Sequence, residues 1–258
     1  MTMYVITHKR FDYPLPPTYK TLLVGANKNQ NPDNYLADNT ADNISDKNKS
    51  FCELTGLYWI WKNTTDETVG LSHYRRYFSK YHYRKYLDLS VLISGQAKPV
   101  DESILRQELS KADWIVSQPE KGGTGTISEN FAKYHHAKDL AITRKVIQNK
   151  YPKFVTGFDE TMSMERGSFY NMFYTTREHL NNYCKWLFDI LFEVEKEVDI
   201  SSYSDYQQRL FGFLAERLLN VYLKSTNCSV IYHAVYQTNT MNRGYAWHQF
   251  TSKFINHQ

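Results

Sequence analysis

Residues 38–78 read DNTADNISDKNKSFCELTGLYWIWKNTTDETVGLSHYRRYF, and no other stretch constrains the fold as tightly. A polar run dense in Asp and Asn leads into an amphipathic segment, then a short linker and an apolar run ending on His73-Tyr74-Arg75-Arg76. Phe51, Leu54, Tyr58 and Trp61 fall at i, i+3, i+7 and i+10, so the spacing predicts a helix over residues 47–62 with Ser45 as its N-cap. Residues 68–72 predict a strand. Loop, helix and strand in that order, with cations where the strand ends, belong to an α/β fold, whose ligands bind at C-terminal strand ends.

The rest of the chain repeats this alternation. Residues 3–7 (MYVIT) read as a first strand ending on Thr7-His8-Lys9, and residues 19–24 as a second strand closed by Gly25. Between them, residues 12–17 carry three prolines and read as loop. Residues 103–111 predict a helix, 113–117 a strand, 120–129 a glycine-bearing mobile loop, 131–149 a helix and 169–174 a strand. Two long helices follow. The first buries Leu180, Tyr183, Leu187, Ile190, Leu191 and Val194; the second opens on a Ser204-x-x-Gln207 capping spacing and buries Leu210, Leu214, Leu218 and Tyr222. Residues 229–236 read as a last strand, and the tail after Asn239 gives no pattern. The expected fold class is therefore α/β, a mixed sheet flanked by helices with a helical C-terminal part. We expect one domain over residues 1–258, with a nucleotide-binding half of roughly 1–120 and an acceptor half of roughly 121–258.

Composition narrows the function. A net charge of +4 over 258 residues does not by itself argue for nucleic acid. Cys52, Cys184 and Cys228 are far apart with no C-x-x-C pair, against a zinc ribbon or disulfide scaffold and in keeping with a reducing cytoplasm. No apolar core of a signal peptide stands in residues 1–11, and no segment approaches the ~20 apolar residues of a membrane span. The 21 tyrosines suit half-wet clefts that stack sugars or bases, or simply a tyrosine-heavy core.

Arg75 and Arg76 are the first functional candidates. Breaking a glycosidic bond to a nucleotide diphosphate leaves negative charge, which many transferases neutralise with a divalent ion on a strand-end Asp-x-Asp. This sequence contains no Asp-x-Asp, and guanidinium groups can fork onto phosphate oxygens instead. No metal or other cofactor is therefore expected. A solvated basic loop is the plainer reading of the same residues. Asp38, Asp42 and Asp46 are four apart and suit a helix entry, whereas Asp42, Asn43 and Asn48 equally suit a ribose or uracil edge. Thr7, His8 and Lys9 close the first strand and either touch the ligand or form a plain turn. His135-His136 with Asp139 looks like a metal cluster, but adjacent helical side chains diverge by ~100°, so a histidine on the cleft wall is the better reading. For a base that accepts the acceptor hydroxyl's proton, Asp159 is the first choice and Glu216 the second. Arg209 and Glu216, seven apart, also suit a buried structural pair.

With these motifs laid out, the chain resembles a bacterial family of capsular and exopolysaccharide glycosyltransferases long catalogued as a domain of unknown function. The likeness runs through VITHK, DNxxDNISxKN, CELTGLYWIWKN, GLSHYRRYF, YHHAKDL, YCKWLFDILFEVEK and RLFGFLAERLLNVYL. It implies a GT-A-like fold that transfers a hexose, galactofuranose in some relatives, from a UDP-sugar to a growing oligosaccharide or lipid-linked glycan. Matching positions are His8, Lys9, Asp42, Asn43, Asn48, His73, Arg75, Arg76, His135, Asp159, Asn171, Arg209 and Glu216. The family usually has Gly where this chain has Ala41. Residues 122–125 and the C-terminal tail match poorly, so acceptor specificity transfers least. A lipid-linked acceptor implies a cytoplasmic protein with peripheral contact to the anionic inner face of the membrane, and nucleic acid is not expected as a partner. The competing class is a non-catalytic module that docks the basic, aromatic run 74–86 on nucleic acid or anionic lipid.

Overall fold

The computed structural model describes residues 2–255. Its strands are β1 (Thr2–Thr7), β2 (Tyr19–Leu23), β3 (Leu36–Ala37), β4 (Thr68–His73), β5 (Arg76–Phe78), β6 (Trp114–Ser117), β7 (Phe173–Thr176), β8 (Val230–His233) and β9 (Val235–Gln237). Its α-helices are α1 (Asn48–Phe51), α2 (Leu54–Asn63), α3 (Arg84–Ser94), α4 (Glu102–Leu109), α5 (Ile127–Tyr134), α6 (Ala137–Lys150), α7 (Val155–Ser163), α8 (Arg177–Glu197), α9 (Leu210–Ser225) and α10 (Arg243–Ile255). One sheet runs β3-β2-β1-β4-β7-β6-β8, with β5 bridging the end of β4 to β9. β3, β2, β1 and β4 are parallel, β7 is antiparallel to both its neighbours, and β6 and β8 are again parallel. The expected mixed sheet flanked by helices is what the chain forms.

Both faces of the sheet are covered, which explains why β1 is buried along its whole length. Tyr4 and Ile6 enter a large core with α2, α8 and α9, while Met3 and Val5 enter a second core with residues of α3, α4 and β9. The stripes expected on the two long helices are buried as a set. Gly56 lets α2 lie directly on the sheet, since a Cβ there would stand 2.8 Å from both Ile6 Cδ1 and Val24 Cγ1. Strands from both expected halves interleave, because β7 sits between β4 and β6.

Several boundaries differ from expectation. The helix expected over 47–62 is broken: a 3₁₀ turn and α1 end at Cys52, whose φ of +52° is left-handed, and α2 restarts at Leu54. Ser45 is not an N-cap; its hydroxyl donates to Asp38 at 2.6 Å. That fully buried carboxylate also accepts Gly25 N–H at 2.9 Å, Ala26 N–H at 3.0 Å and the Thr55 hydroxyl at 2.6 Å. Asp38 thus organises the polar loop from within. The segment 131–149 divides at His135-His136 into α5 and α6, and α5 begins inside the expected loop through a Thr126/Glu129 capping box. The strand expected over 169–174 starts only at Phe173, and residues 229–236 divide into β8 and β9 at Ala234. Among the described residues no helix is long and apolar enough to cross a membrane.

Candidate functional site

β1 hydrogen-bonds β2 on one side and β4 on the other, so the chain leaves β1 in one direction and returns on its opposite edge. Such a reversal opens a crevice at the C-terminal strand ends. A cleft of about 640 Å³ lies there, within the range of small-ligand and cofactor sites. The ends of β1 and β4 supply Thr7, His8, His73, Tyr74, Arg75 and Arg76; the α1–α2 break supplies Asn48, Cys52 and Glu53; Tyr170, Arg209 and Glu216 close the far wall.

Backbone ties hold the arginines in place. Ser72 Oγ donates to the Arg76 carbonyl at 2.7 Å, and Thr238 N–H to the Arg75 carbonyl at 3.0 Å. The Arg75 guanidinium lies 4.8 Å from the Tyr74 ring centroid and that of Arg76 4.7 Å from Tyr170. Arg209 enters from the turn before α9, its Nε 3.3 Å from Cys52 Sγ. Arg84, Arg144 and Arg217 each pair with a carboxylate, but no ion pair joins Arg75, Arg76 or Arg209 to one among the described residues. Arg76 Nε is buried without a hydrogen-bond partner. Three guanidinium groups therefore converge with donors to spare. Burial lowers the His8 pKa, and the charges of Lys9, Arg75 and Arg209 lower it further, so this ring is neutral near pH 7.

Of the three carboxylates that line the cleft, exposed Asp205 pairs with Lys49 at 3.2 Å, and Glu53 and Glu216 lie deeper. Glu53 accepts Asn171 Nδ2–H at 2.6 Å. Glu216 accepts Tyr170 N–H at 3.2 Å and pairs with Arg217 at 2.8 Å, so the expected Arg209–Glu216 pair does not form. Burial raises the Glu216 pKa, and the nearby charge of Glu53 adds to it, against the opposing pull of Arg217. Burial pushes the Cys52 thiol up to about 12, which removes it as a nucleophile at neutral pH.

The wall behind the carboxylates is strained. Cys52, Tyr170 and Asn171 all adopt left-handed backbone, at φ +52°, +80° and +51°. Each such residue costs of order 1–3 kcal/mol, and such strain collects at functional sites. Local bonds hold the breaks: Asn48 Nδ2 donates to the Cys52 carbonyl at 2.7 Å, and His73 Nε2 lies 2.5 Å from the Tyr170 carbonyl. Gly25 makes room for Asn48, since a Cβ on its left-handed backbone would stand 2.6 Å from Asn48 Oδ1.

The cleft gathers Thr7, His8, Asn48, His73, Arg75, Arg76, Arg209 and Glu216 from the residues singled out in the sequence. The Thr7 hydroxyl donates to the Lys9 carbonyl at 2.5 Å, turning the chain so that Lys9 lies beside the cleft, 5.7 Å from the Tyr74 ring. Asn171 is buried behind Glu53, with its amide also donating to the Gly212 carbonyl. Asp42 and Asn43 are elsewhere. Asp42 accepts the Tyr58 hydroxyl at 3.1 Å, and Asn43 Nδ2 donates to the Ala41 carbonyl at 2.9 Å. Asp159 is also outside the cleft, exposed on α7 and gripped by Arg144 through two bonds of 2.7 Å. His135 bonds Gln207 at 3.0 Å and lines a separate depression, while Asp139 is buried beneath it, accepting the Tyr203 hydroxyl at 2.9 Å. The run 74–86 does not form one basic face: Tyr77 and Phe78 are buried and Arg84 is tied to Asp88 at 2.9 Å. Sequence reasoning missed Glu53 and Tyr170, although Glu53 lies inside the ELTGLYWIWKN string and only the unforeseen break at Cys52 turns it to the cleft.

Among solved structures the chain is similar to the apo structure of the WbbM bifunctional glycosyltransferase, with a TM-score of 0.79, 24% identity and 91% of this chain covered. The chain spans 44% of that protein's chain, and at this identity the likeness shows a shared fold. No curated protein matches. The family model described as a domain of unknown function (DUF4422) matches residues 2–227, and the chain therefore belongs to the DUF4422 family.

Proposed function

We propose that the protein is an inverting glycosyltransferase that moves a hexose, galactose or galactofuranose, from a UDP-sugar to a capsular or exopolysaccharide acceptor, free or lipid-linked. One observation carries this reading: three guanidinium groups, without carboxylate partners among the described residues, converge on a crevice at the β1/β4 switch point that Glu53 and Glu216 also line. A structural fold neighbour that is a glycosyltransferase supports it.

In this reading the diphosphate lies against Arg75, Arg76 and Arg209, and the nucleoside lies toward Ile6, His8, Val24 and Asn48. The acceptor hydroxyl oxygen attacks the anomeric carbon while the bond from that carbon to the phosphate oxygen breaks. The electron pair leaves with UDP, and Glu216 takes the hydroxyl proton. A raised pKa makes Glu216 a stronger base than an ordinary carboxylate. The three guanidinium groups neutralise the departing charge electrostatically, the work a divalent ion does at an Asp-x-Asp site. Asp159, held by Arg144 outside the cleft, has no part. Glu216→Gln tests the assignment: transfer falls by at least about 100-fold, the lower range of general-base contributions, while UDP affinity holds. Unimpaired transfer would overturn it.

An apolar stripe supports peripheral contact with an anionic bilayer by way of α3. Tyr83, Tyr86, Leu89 and Ile93 lie 58%, 49%, 46% and 73% exposed along one side, beside Lys85. Leu89→Asp with Ile93→Asp should abolish co-sedimentation with anionic vesicles, and undiminished binding would remove this surface from the account.

A further inference from the structure

We propose that His82, Glu108 and His233 form a binding site for a divalent transition-metal ion of the zinc class, apart from the cleft and independent of its chemistry. The residues come from three separate segments: the loop after β5, the end of α4 and the last residue of β8. None of them lines the cleft. Their ligand atoms nevertheless all lie within 4.8 Å of one another.

The hydrogen bonds around the two rings aim them. His233 Nδ1 lies 2.7 Å from the Ser79 carbonyl and His82 Nδ1 3.0 Å from the Tyr232 carbonyl. A carbonyl only accepts, so each Nδ1 carries its hydrogen, and in the neutral ring Nε2 presents a lone pair. Both Nε2 atoms face the same carboxylate, at 3.2 Å from Glu108 Oε1 for His82 and 2.5 Å from Oε2 for His233. A ring nitrogen and a carboxylate oxygen at these distances share either a proton or a metal ion. A proton bridges one nitrogen to one oxygen, whereas here two rings from separate segments meet one carboxylate, with the His233 side chain fully buried. A single divalent ion satisfies all three ligands.

The donor set and the spacing suit zinc. Two imidazole nitrogens and one carboxylate oxygen are borderline donors of the kind zinc takes, leaving a fourth position for water. Ligand atoms about 2.0–2.2 Å from a tetrahedral ion stand roughly 3.3 Å apart. The His82–Oε1 contact already has that spacing, the His233–Oε2 contact is shorter, and no two ligand atoms stand more than 4.8 Å apart, so small shifts of the part-exposed Glu108 and His82 side chains bring the three around one ion. Carbonyl acceptors behind both rings are the outer partners that orient metal-bound histidines. His82 is 47% exposed and gives the ion a path from solvent to the buried His233. Bound there, the ion ties the β5–β9 ladder, which begins at Arg76, to α4 and the sheet-edge strand β8.

The test uses tag-free full-length chain, stripped with a chelator, incubated with one equivalent of zinc and desalted. Elemental analysis should find close to one zinc per chain, with a raised unfolding temperature, and cobalt in its place should give the intense visible absorption of a tetrahedral site. His82→Ala, an exposed substitution, and Glu108→Gln should each lose the metal and the absorption while UDP affinity stays at the wild-type value. Zinc absent from the desalted wild-type protein, or retained equally by both folded variants, would overturn the site. Failure here leaves the cleft assignments intact, and failure of UDP binding leaves the metal site intact.

Discussion

Replacing Arg76 by Ala separates a ligand-binding guanidinium from a structural one. Among the described residues Arg76 makes no ion pair, its Nε is buried without a partner, and its guanidinium lies 4.7 Å from the Tyr170 ring. Truncation therefore breaks no ion pair; the folded state loses a cation–π contact of about 0.5–2 kcal/mol and the through-space pull of the guanidinium on Glu216. For a domain of this size the lost contact lowers the unfolding temperature by roughly 1–8 °C. Breaking a buried ion pair would instead cost about 3–5 kcal/mol. Toward a diphosphate the same truncation removes one or two charge-assisted hydrogen bonds, each about 1.5–3 kcal/mol. At 1.4 kcal/mol per factor of ten, one lost bond weakens UDP roughly 10- to 150-fold. Calorimetric titration with UDP, paired with a thermal melt, reads both quantities on one preparation. Arg76→Lys keeps the charge and loses the fork, so its affinity should fall between the two. UDP affinity within about twofold of wild type, well under the ~1.5 kcal/mol of a single charged bond, would refute the reasoning.

The pH dependence of transfer follows from Glu216. It accepts a proton only when ionised, and burial with the Glu53 charge raises its pKa, so kcat/KM should fall as pH drops through a value above the ordinary carboxylate range. Glu53→Gln removes the neighbouring charge, lowers that pKa and moves the acid limb to lower pH, whereas Asp159→Asn leaves the profile in place; an unmoved limb in Glu53→Gln contradicts the pairing. Ala41→Gly should stabilise the fold by about 0.5–1 kcal/mol in urea unfolding, because Ala41 sits at φ +50° where glycine is unstrained. A lower midpoint for that variant would show the strain to be absent.

The fold was legible where one local pattern had one structural meaning. β1, β2 and β4 are apolar, β-rich runs with clear ends, and the stripes of α8 and α9 run on without interruption. The arginines were legible for the same reason, since a strand end fixes where the next side chains emerge. The break at Cys52 was not, because the helical period of Phe51, Leu54, Tyr58 and Trp61 runs straight across it and cysteine is no helix breaker. What decides that break is Asn48 bonding the Cys52 carbonyl and Asp38 drawing in Thr55 and Ser45, contacts that local sequence does not encode. Asp159 and Asp42 failed as cleft residues for a related reason: each finds its partner, Arg144 or Tyr58, on the outer surface. Left-handed backbone at Tyr170 and Asn171 shortened the expected strand, and neither residue type announces it.

The claim that guanidinium groups do the work of a metal ion is tested most directly by phosphorus NMR of UDP-galactose titrated with protein in buffer free of magnesium and manganese. Stoichiometric wild-type protein should shift and broaden both diphosphate resonances, added magnesium should change them no further than it changes free ligand, and the Arg75→Ala, Arg76→Ala double variant should leave them as in solution. Resonances that stay unperturbed by the wild-type chain until magnesium is added would contradict the account.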